Sequence, residues 1–126
     1  MQRLFLAMLV LVGLCLAGCG RETCRGADCR CPAGASCAFE CEGRGCDFVC
    51  AGESRCDHAC PEGGCQMQCD DAERCEIDCP GNDCQVQCSG TSVCRLTGCT
   101  QSCQLQCGGA ATCESSCTAA SCQTQP

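Results

Sequence analysis

CEIDCPGNDCQVQCSGTSV, residues 75–93, is the stretch of this chain that decides its fold. It contains two pentads of the form C-x-h-x-C, where h is apolar, and each pentad is followed by a turn-forming segment. In an extended strand the two cysteines and the central Ile77 or Val86 share one face, because side chains alternate with a period of two. A helix would also place cysteines four apart on one face, but glycine or proline interrupts most such segments too often for a stable helix. The stretch therefore predicts short strands joined by tight turns.

The same pattern fills most of the chain. Five rows of nineteen residues run from Cys31 to residue 125 with four cysteines each, and only Cys99 stands one position out of column. A fixed period of this length is typical of solenoids, in which each unit stacks on its neighbours. We predict an all-β fold over residues 31–126, a small disulfide-stapled, two-sided β-solenoid of about five coils. The predicted inward columns are Phe39, His58, Ile77, Leu96 and Ser115 on one strand, and Phe48, Met67, Val86, Leu105 and Thr124 on the other.

Composition makes cross-links necessary. The chain has 126 residues and 24 cysteines, with no Trp, no Tyr and three Phe, whereas roughly one cysteine in ten residues already marks a disulfide scaffold in a short secreted chain. So few large apolar side chains cannot offset the conformational entropy that folding costs. The predicted coil is similar in scale to the disulfide-stapled solenoids of insect antifreeze proteins, although it lacks their threonine arrays.

The first residues have the features of an export signal. Arg3 precedes an apolar run, Leu4–Leu16, that is too short to span a bilayer comfortably. The run ends in Leu16-Ala17-Gly18-Cys19, which resembles the lipobox of bacterial lipoproteins. That resemblance implies a signal peptide over 1–18, cleavage before Cys19, and acyl chains on the sulfur and new amino group of Cys19. The alternative is an ordinary secretory signal with a chance cysteine.

The lipobox resemblance also implies a location and a domain order. Gly20 replaces the aspartate of that family's inner-membrane retention signal, so the expected location is the outer membrane or cell surface of a Gram-negative bacterium. Residues 19–30 are expected to form a lipidated tether and N-terminal cap, followed by the repeat domain 31–126. The tandem Cys-rich repeats also resemble those of predicted bacterial lipoproteins of unassigned role.

Export predicts oxidised cysteines. Of the 24 cysteines, Cys15 leaves with the signal peptide and Cys19 carries lipid, so an even number, 22, remains. We predict that disulfides close the turns. The short-turn pairs are Cys41–Cys46, Cys60–Cys65, Cys79–Cys84, Cys99–Cys103 and Cys117–Cys122; the long-turn pairs are Cys31–Cys37, Cys50–Cys56, Cys69–Cys75, Cys88–Cys94 and Cys107–Cys113; Cys24–Cys29 closes the cap. A rival scheme keeps the short-turn pairs but joins Cys37 to Cys50 and Cys56 to Cys69.

Metal and redox chemistry are the main alternatives for these cysteines. Structural zinc sites use closely spaced cysteine pairs, and metallothioneins rely on repeated C-x-C, which occurs here once, at Cys29–Cys31. Dithiol exchange usually needs C-x-x-C, which this sequence lacks. His58 is the only histidine and has no catalytic partners in the pattern, so we interpret it as filling space in its column. No enzyme, metal or cofactor is predicted, and metal sequestration stays the alternative function.

Two outward features suggest partners. A group of carboxylates could bind calcium, although no calcium-loop motif surrounds it; the group comprises Asp70, Asp71, Glu73, Glu76, Asp78 and Asp83. Glutamines recur as Q-x-Q at the same place in four rows and would either hydrogen-bond along the stack or offer a polar face to a glycan or protein. The net charge of −7 argues against nucleic acid. The leading hypothesis is a membrane-anchored, non-enzymatic structural or interaction module.

Overall fold

The computed structural model describes residues 20–126, which fold almost entirely as short β-strands. The predicted signal peptide 1–18 and the lipidation candidate Cys19 lie outside the described residues. One 3₁₀ helix, Gly26–Asp28, is present in the described part. The strands are β1 (Glu22–Cys24), β2 (Cys29–Cys31), β3 (Ser36–Cys37), β4 (Phe39–Cys41), β5 (Asp47–Cys50), β6 (Arg55–Ala59), β7 (Gln66–Asp70), β8 (Arg74–Asp78), β9 (Gln85–Ser89), β10 (Val93–Thr97), β11 (Gln104–Cys107), β12 (Thr112–Ser115) and β13 (Gln123–Gln125).

These strands form two parallel sheets. Sheet A has the order β1-β4-β6-β8-β10-β12, with β3 also paired to β6, and sheet B has the order β13-β11-β9-β7-β5-β2. The chain therefore visits the sheets alternately, because each coil gives one stretch of strand to each of them. This arrangement confirms the predicted all-β, two-sided solenoid.

The register repeats the nineteen-residue period. In sheet A, Cys56 aligns with Cys75 and Cys75 with Cys94. In sheet B, Val86 aligns with both Met67 and Leu105. From β2 onward, each paired strand residue is consequently aligned with the residue nineteen positions away, which sorts the surface and the core into columns.

A thin core lies between the sheets. Its large members include Phe48, Ile77 and Leu105, each with no exposed surface, and the disulfide sulfurs fill the two sides. The two predicted inward columns are confirmed along the middle of the stack. At its ends, Phe39 and Ser115 are only half-buried and Thr124 is exposed, because fewer neighbouring residues cover them.

The N-terminal segment is part of the stack. Within the segment expected to form the tether and N-terminal cap, residues 20–30 contribute β1, which pairs with β4, and begin β2, which pairs with β5. The disulfide Cys24–Cys29 joins these two additions. Residues 22–31 therefore act as a partial extra coil that covers the N-terminal end of the core.

Asn82 accommodates the displaced Cys99. Its Oδ1 atom accepts the backbone N–H of Thr100 at 2.8 Å and that of Gln101 at 3.2 Å, and it also accepts the Thr100 hydroxyl. Asn82 itself has a φ of +65°, a left-handed conformation that asparagine tolerates better than most residues. One side chain thus fixes the shifted short turn against the coil before it.

Candidate functional site

The disulfides form two ladders, one along each edge of the solenoid. Cys24–Cys29 and the short-turn pairs make one ladder, and the long-turn pairs make the other. All 22 cysteines of the described residues take part, in the pairs of the turn-closing scheme and not of its rival. The bonded Cα atoms lie between 5.3 and 6.6 Å apart, within the range that a disulfide requires.

Neighbouring rungs bring sulfur atoms close together. The Sγ atoms of Cys41, Cys46 and Cys65 lie within 4.8 Å of one another, and Cys60, Cys79 and Cys84 form a similar group. Metal-binding cysteines are thiolates, whereas these sulfurs are consumed in disulfides. Only a reduced form of the chain would offer them to a soft cation.

Exposure of the ladders differs along the stack. Rungs in the middle are almost fully buried; Cys60 and Cys65, for example, have no exposed surface. The two rungs nearest the C-terminal end, Cys107–Cys113 and Cys117–Cys122, are half-buried on both cysteines. A reductant in solution therefore reaches the last coil most easily.

His58 lies in the core between two phenylalanines. Its ring centroid is 5.2 Å from that of Phe39 and 4.6 Å from that of Phe48, with interplanar angles of 27° and 20°. Its Nε2 atom is 3.6 Å from Sγ of Cys50. The side chain has no exposed surface, so it fills its column as the sequence predicts.

The imidazole also has a role that the sequence does not reveal. Sheet A is interrupted at Ala38, between β3 and β4, and there the backbone N–H of Phe39 donates to Nδ1 of His58 at 3.1 Å. A buried N–H without an acceptor is costly, and an aliphatic side chain in this column could not accept it. The cysteine spacing around Ala38 matches that of the other rows, so no sequence signal marks the interruption.

This environment favours neutral imidazole. The pKa of His58 is lowered from 6.5 to about 4, mainly by burial away from water and to a smaller extent by the positive charge of Arg21, while a backbone hydrogen bond at Asp57 acts in the opposite direction. With Nδ1 accepting from Phe39, the proton of the neutral ring lies on Nε2. The ring therefore acts as a fixed acceptor inside the core.

The outer surface of sheet A is charged. Arg95 lies 2.9 Å from Glu114 and 3.7 Å from Glu76, and Arg74 lies 2.6 Å from Glu76. Arg55 pairs with Glu73, and its hydrogen bond lowers the pKa of that carboxyl. Because most of these groups are exposed, the pairs add little stability.

The six carboxylates considered for calcium are spread around one coil. They extend from the end of β7 through β8 to the next turn, and each already has a partner within the chain. The partners are Ser89 for Asp70, Thr91 for Asp71, Arg55 for Glu73, Arg74 for Glu76, Thr97 for Asp78 and Arg44 for Asp83. This distribution offers calcium no concentrated set of free oxygens.

The outer surface of sheet B is a glutamine face, which we define as the two columns Gln66, Gln85, Gln104, Gln123 and Gln68, Gln87, Gln106, Gln125. Their strands pair in register, so each glutamine lies beside the next one in its column. Among residues 20–126, the only hydrogen bond of these side chains joins Gln125 Nε2 to Gln123 Oε1, within one strand. The expected hydrogen bonding along the stack is therefore not formed.

No helix within residues 20–126 is long and apolar enough to cross a membrane. No protein-family model, curated protein or solved structure matches this chain. The ladders, the buried histidine and the two contrasting outer faces are therefore the basis for any functional assignment.

Proposed function

We propose that this chain is a lipid-anchored, non-enzymatic module of the bacterial cell envelope, in which a disulfide-stabilised solenoid presents its outer faces to a partner. The anchor is the acylated Cys19 that the lipobox implies, and the location is the outer membrane or cell surface. The observation that carries the structural part of the proposal is the pair of disulfide ladders, which closes the turns of each coil independently of what the outward residues are.

The separation of inward core residues from outward polar residues in each coil supports an interaction role. Inward positions are occupied by cysteines and a few apolar side chains, while outward positions are polar and exposed. Outward residues contribute little to the core, so they are available for recognition. The buried His58 has no exposed surface, so it contacts the core and not a partner.

One measurement separates this role from metal sequestration. The intact mass of the secreted domain is determined after alkylation, with and without prior reduction. Full oxidation predicts that no cysteine of residues 20–126 reacts until the disulfides are reduced, which leaves no thiolate for a metal. Extensive alkylation before reduction would instead support the metal-sequestering alternative.

A second experiment tests the anchor. Cys19→Ser should abolish incorporation of labelled fatty acid and release the protein into the soluble periplasmic fraction, because the acylated sulfur is lost. Cys15→Ser, in the same signal segment, is the matched control and should remain in the membrane fraction. Membrane retention of the Cys19→Ser variant would contradict the lipobox assignment.

A further inference from the structure

The glutamine face contains six amides without a hydrogen-bond partner among residues 20–126. They belong to Gln66, Gln68, Gln85, Gln87, Gln104 and Gln106. Strands in a sheet lie about 4.8 Å apart, and alternate residues of a strand about 6.6 Å apart. The amides thus form a regular grid, and each can donate and accept hydrogen bonds.

The charge and polarity of the glutamine face limit the classes of partner that it can bind. The grid carries no charge although the chain has a net charge of −7, so neither an anionic nor a cationic polymer is favoured. Protein interfaces usually rely on buried aromatic, Met or Arg anchors. Among residues 20–126 the only exposed large apolar side chain is Val93, which lies in sheet A on the opposite surface.

A second copy of this chain is also a poor fit. Four strands at about 4.8 Å and five residues at about 3.3 Å give a flat face of a few hundred Å². A stable protein interface buries about 800 Å² on each partner. Two such faces without an apolar centre are too small to hold a dimer.

A shallow recess continues the grid at its N-terminal end. It has a volume of about 220 Å³ and is lined by residues that include Arg30, Asp47, Gln66 and Gln68. One positive and one negative side chain border it, so the recess adds hydrogen-bonding groups without a net charge. Grid and recess together form one continuous strip along the solenoid axis, which is polar except where Ala27, Phe48 and Val49 line the recess.

We propose that the glutamine face binds a neutral polysaccharide, lying along the solenoid axis with its hydroxyl or amide groups on the glutamine side chains. This inference deepens the proposed interaction role by naming the face and the class of partner. A repeating, uncharged, hydrogen-bonding polymer matches a repeating, uncharged row of donors and acceptors. Each contact is weak, so affinity comes from several coils binding one polymer chain.

Affinity electrophoresis of the oxidised domain tests the proposal. Native gels contain a β-linked glucan, an α-linked glucan or soluble β-linked N-acetylglucosamine oligomers, with polygalacturonate as the anionic comparison. The wild-type protein should be retarded by at least one neutral glycan, which identifies the linkage and substituent. The variant carrying Gln85→Ala and Gln87→Ala should bind about ten-fold more weakly, because two hydrogen-bonding side chains are removed.

The matched control carries Arg95→Ala and Glu114→Ala on sheet A. It also removes two outward side chains and leaves the net charge unchanged, so its retardation should equal that of the wild type. Absence of retardation in every neutral glycan, or equal retardation of the glutamine variant and the wild type, would overturn the inference. Stronger retardation in polygalacturonate would also overturn it. None of these results alters the alkylation and fatty-acid tests of the proposed function.

Discussion

Acidification should destabilise this fold through His58. The folded-state pKa is about 4, against an ordinary value of 6.5, so the unfolded chain binds a proton more readily between these two values. Stability from this residue is therefore complete above pH 6.5 and is lost as the pH falls toward 4. The difference between the two pKa values corresponds to a loss of about 3 kcal/mol in the free energy of unfolding.

The structure gives the cause of this loss. The backbone N–H of Phe39 donates to Nδ1 of His58 at 3.1 Å. A proton on Nδ1 would leave that N–H without its acceptor. It would also place a positive charge in a fully buried site, where the cost of desolvation dominates. The charged groups near the ring, Arg21 and Asp57, are paired with each other on the surface at 3.0 Å.

Two assays check this prediction. His58 is the only histidine, so the pH midpoint of its ring proton signals in NMR gives the folded pKa directly. Guanidinium unfolding of the oxidised domain, compared with His58→Leu, gives the change in stability, since Leu96 occupies the same column without titrating. Asp57→Asn controls for the neighbouring carboxylate. A midpoint near 6.5, or a stability difference from His58→Leu that is constant between pH 6.5 and 4, would refute the reasoning.

Three further predictions concern the coils and their ladders. Asn82→Ala should lower the free energy of unfolding by about 1–2 kcal/mol in denaturant titration, because three donors lose one acceptor, whereas Asn82→Asp keeps the acceptor and most of the stability. Gly81→Ala should lower the free energy of unfolding by about 1–3 kcal/mol, because a Cβ there would overlap the backbone of the preceding coil. Gly52→Ala should leave the free energy of unfolding nearly unchanged, because a Cβ at that position meets open space. Under limiting reductant, alkylation mapping should find Cys117–Cys122 and Cys107–Cys113 opened first, and earlier opening of Cys60–Cys65 would contradict the burial argument.

The period of the cysteines was sufficient to predict the coil, the register and the short-turn disulfides, but it left two schemes open for the long-turn cysteines, between which the structure decides. Each row repeats the same cysteine spacing, so an error in one row would have been visible against the other four. Two short strands per row leave the cysteines at the strand ends, which brings the two cysteines that flank each turn close together across the thin core. The one-residue shift at Cys99 does not change the pairing, because the Asn82 side chain holds the shifted turn in place.

The features that the sequence did not predict lie where the repeat is broken, or where side chains can hydrogen-bond either to water or to one another. Cys24 aligns with Cys41 across neighbouring strands of sheet A, an offset of seventeen residues. The N-terminal coil therefore does not fit the nineteen-residue rows and is not found from them. Ser92 is fully buried and its Oγ accepts the N–H of Ala72 at 2.9 Å, a contact that depends on how one long turn bends. The glutamine side chains are exposed, apart from the half-buried Gln104, so water competes with any hydrogen bonds between neighbouring amides.

The disulfide-rich core affects how far the outward residues must specify the register of the strands. In an ordinary small domain, outward residues of a strand help to select the register, because one slipped residue exposes the core face. Here the buried cysteines and apolar residues of each coil stack on their counterparts in the next coil, and disulfides fix the length of the turn on either side of each strand. The inward columns and the closed turns therefore carry most of the information that specifies the fold, and a uniform outward face such as the glutamines can be maintained over several coils. A repetitive outer surface is thus compatible with a register that is defined by the inward residues.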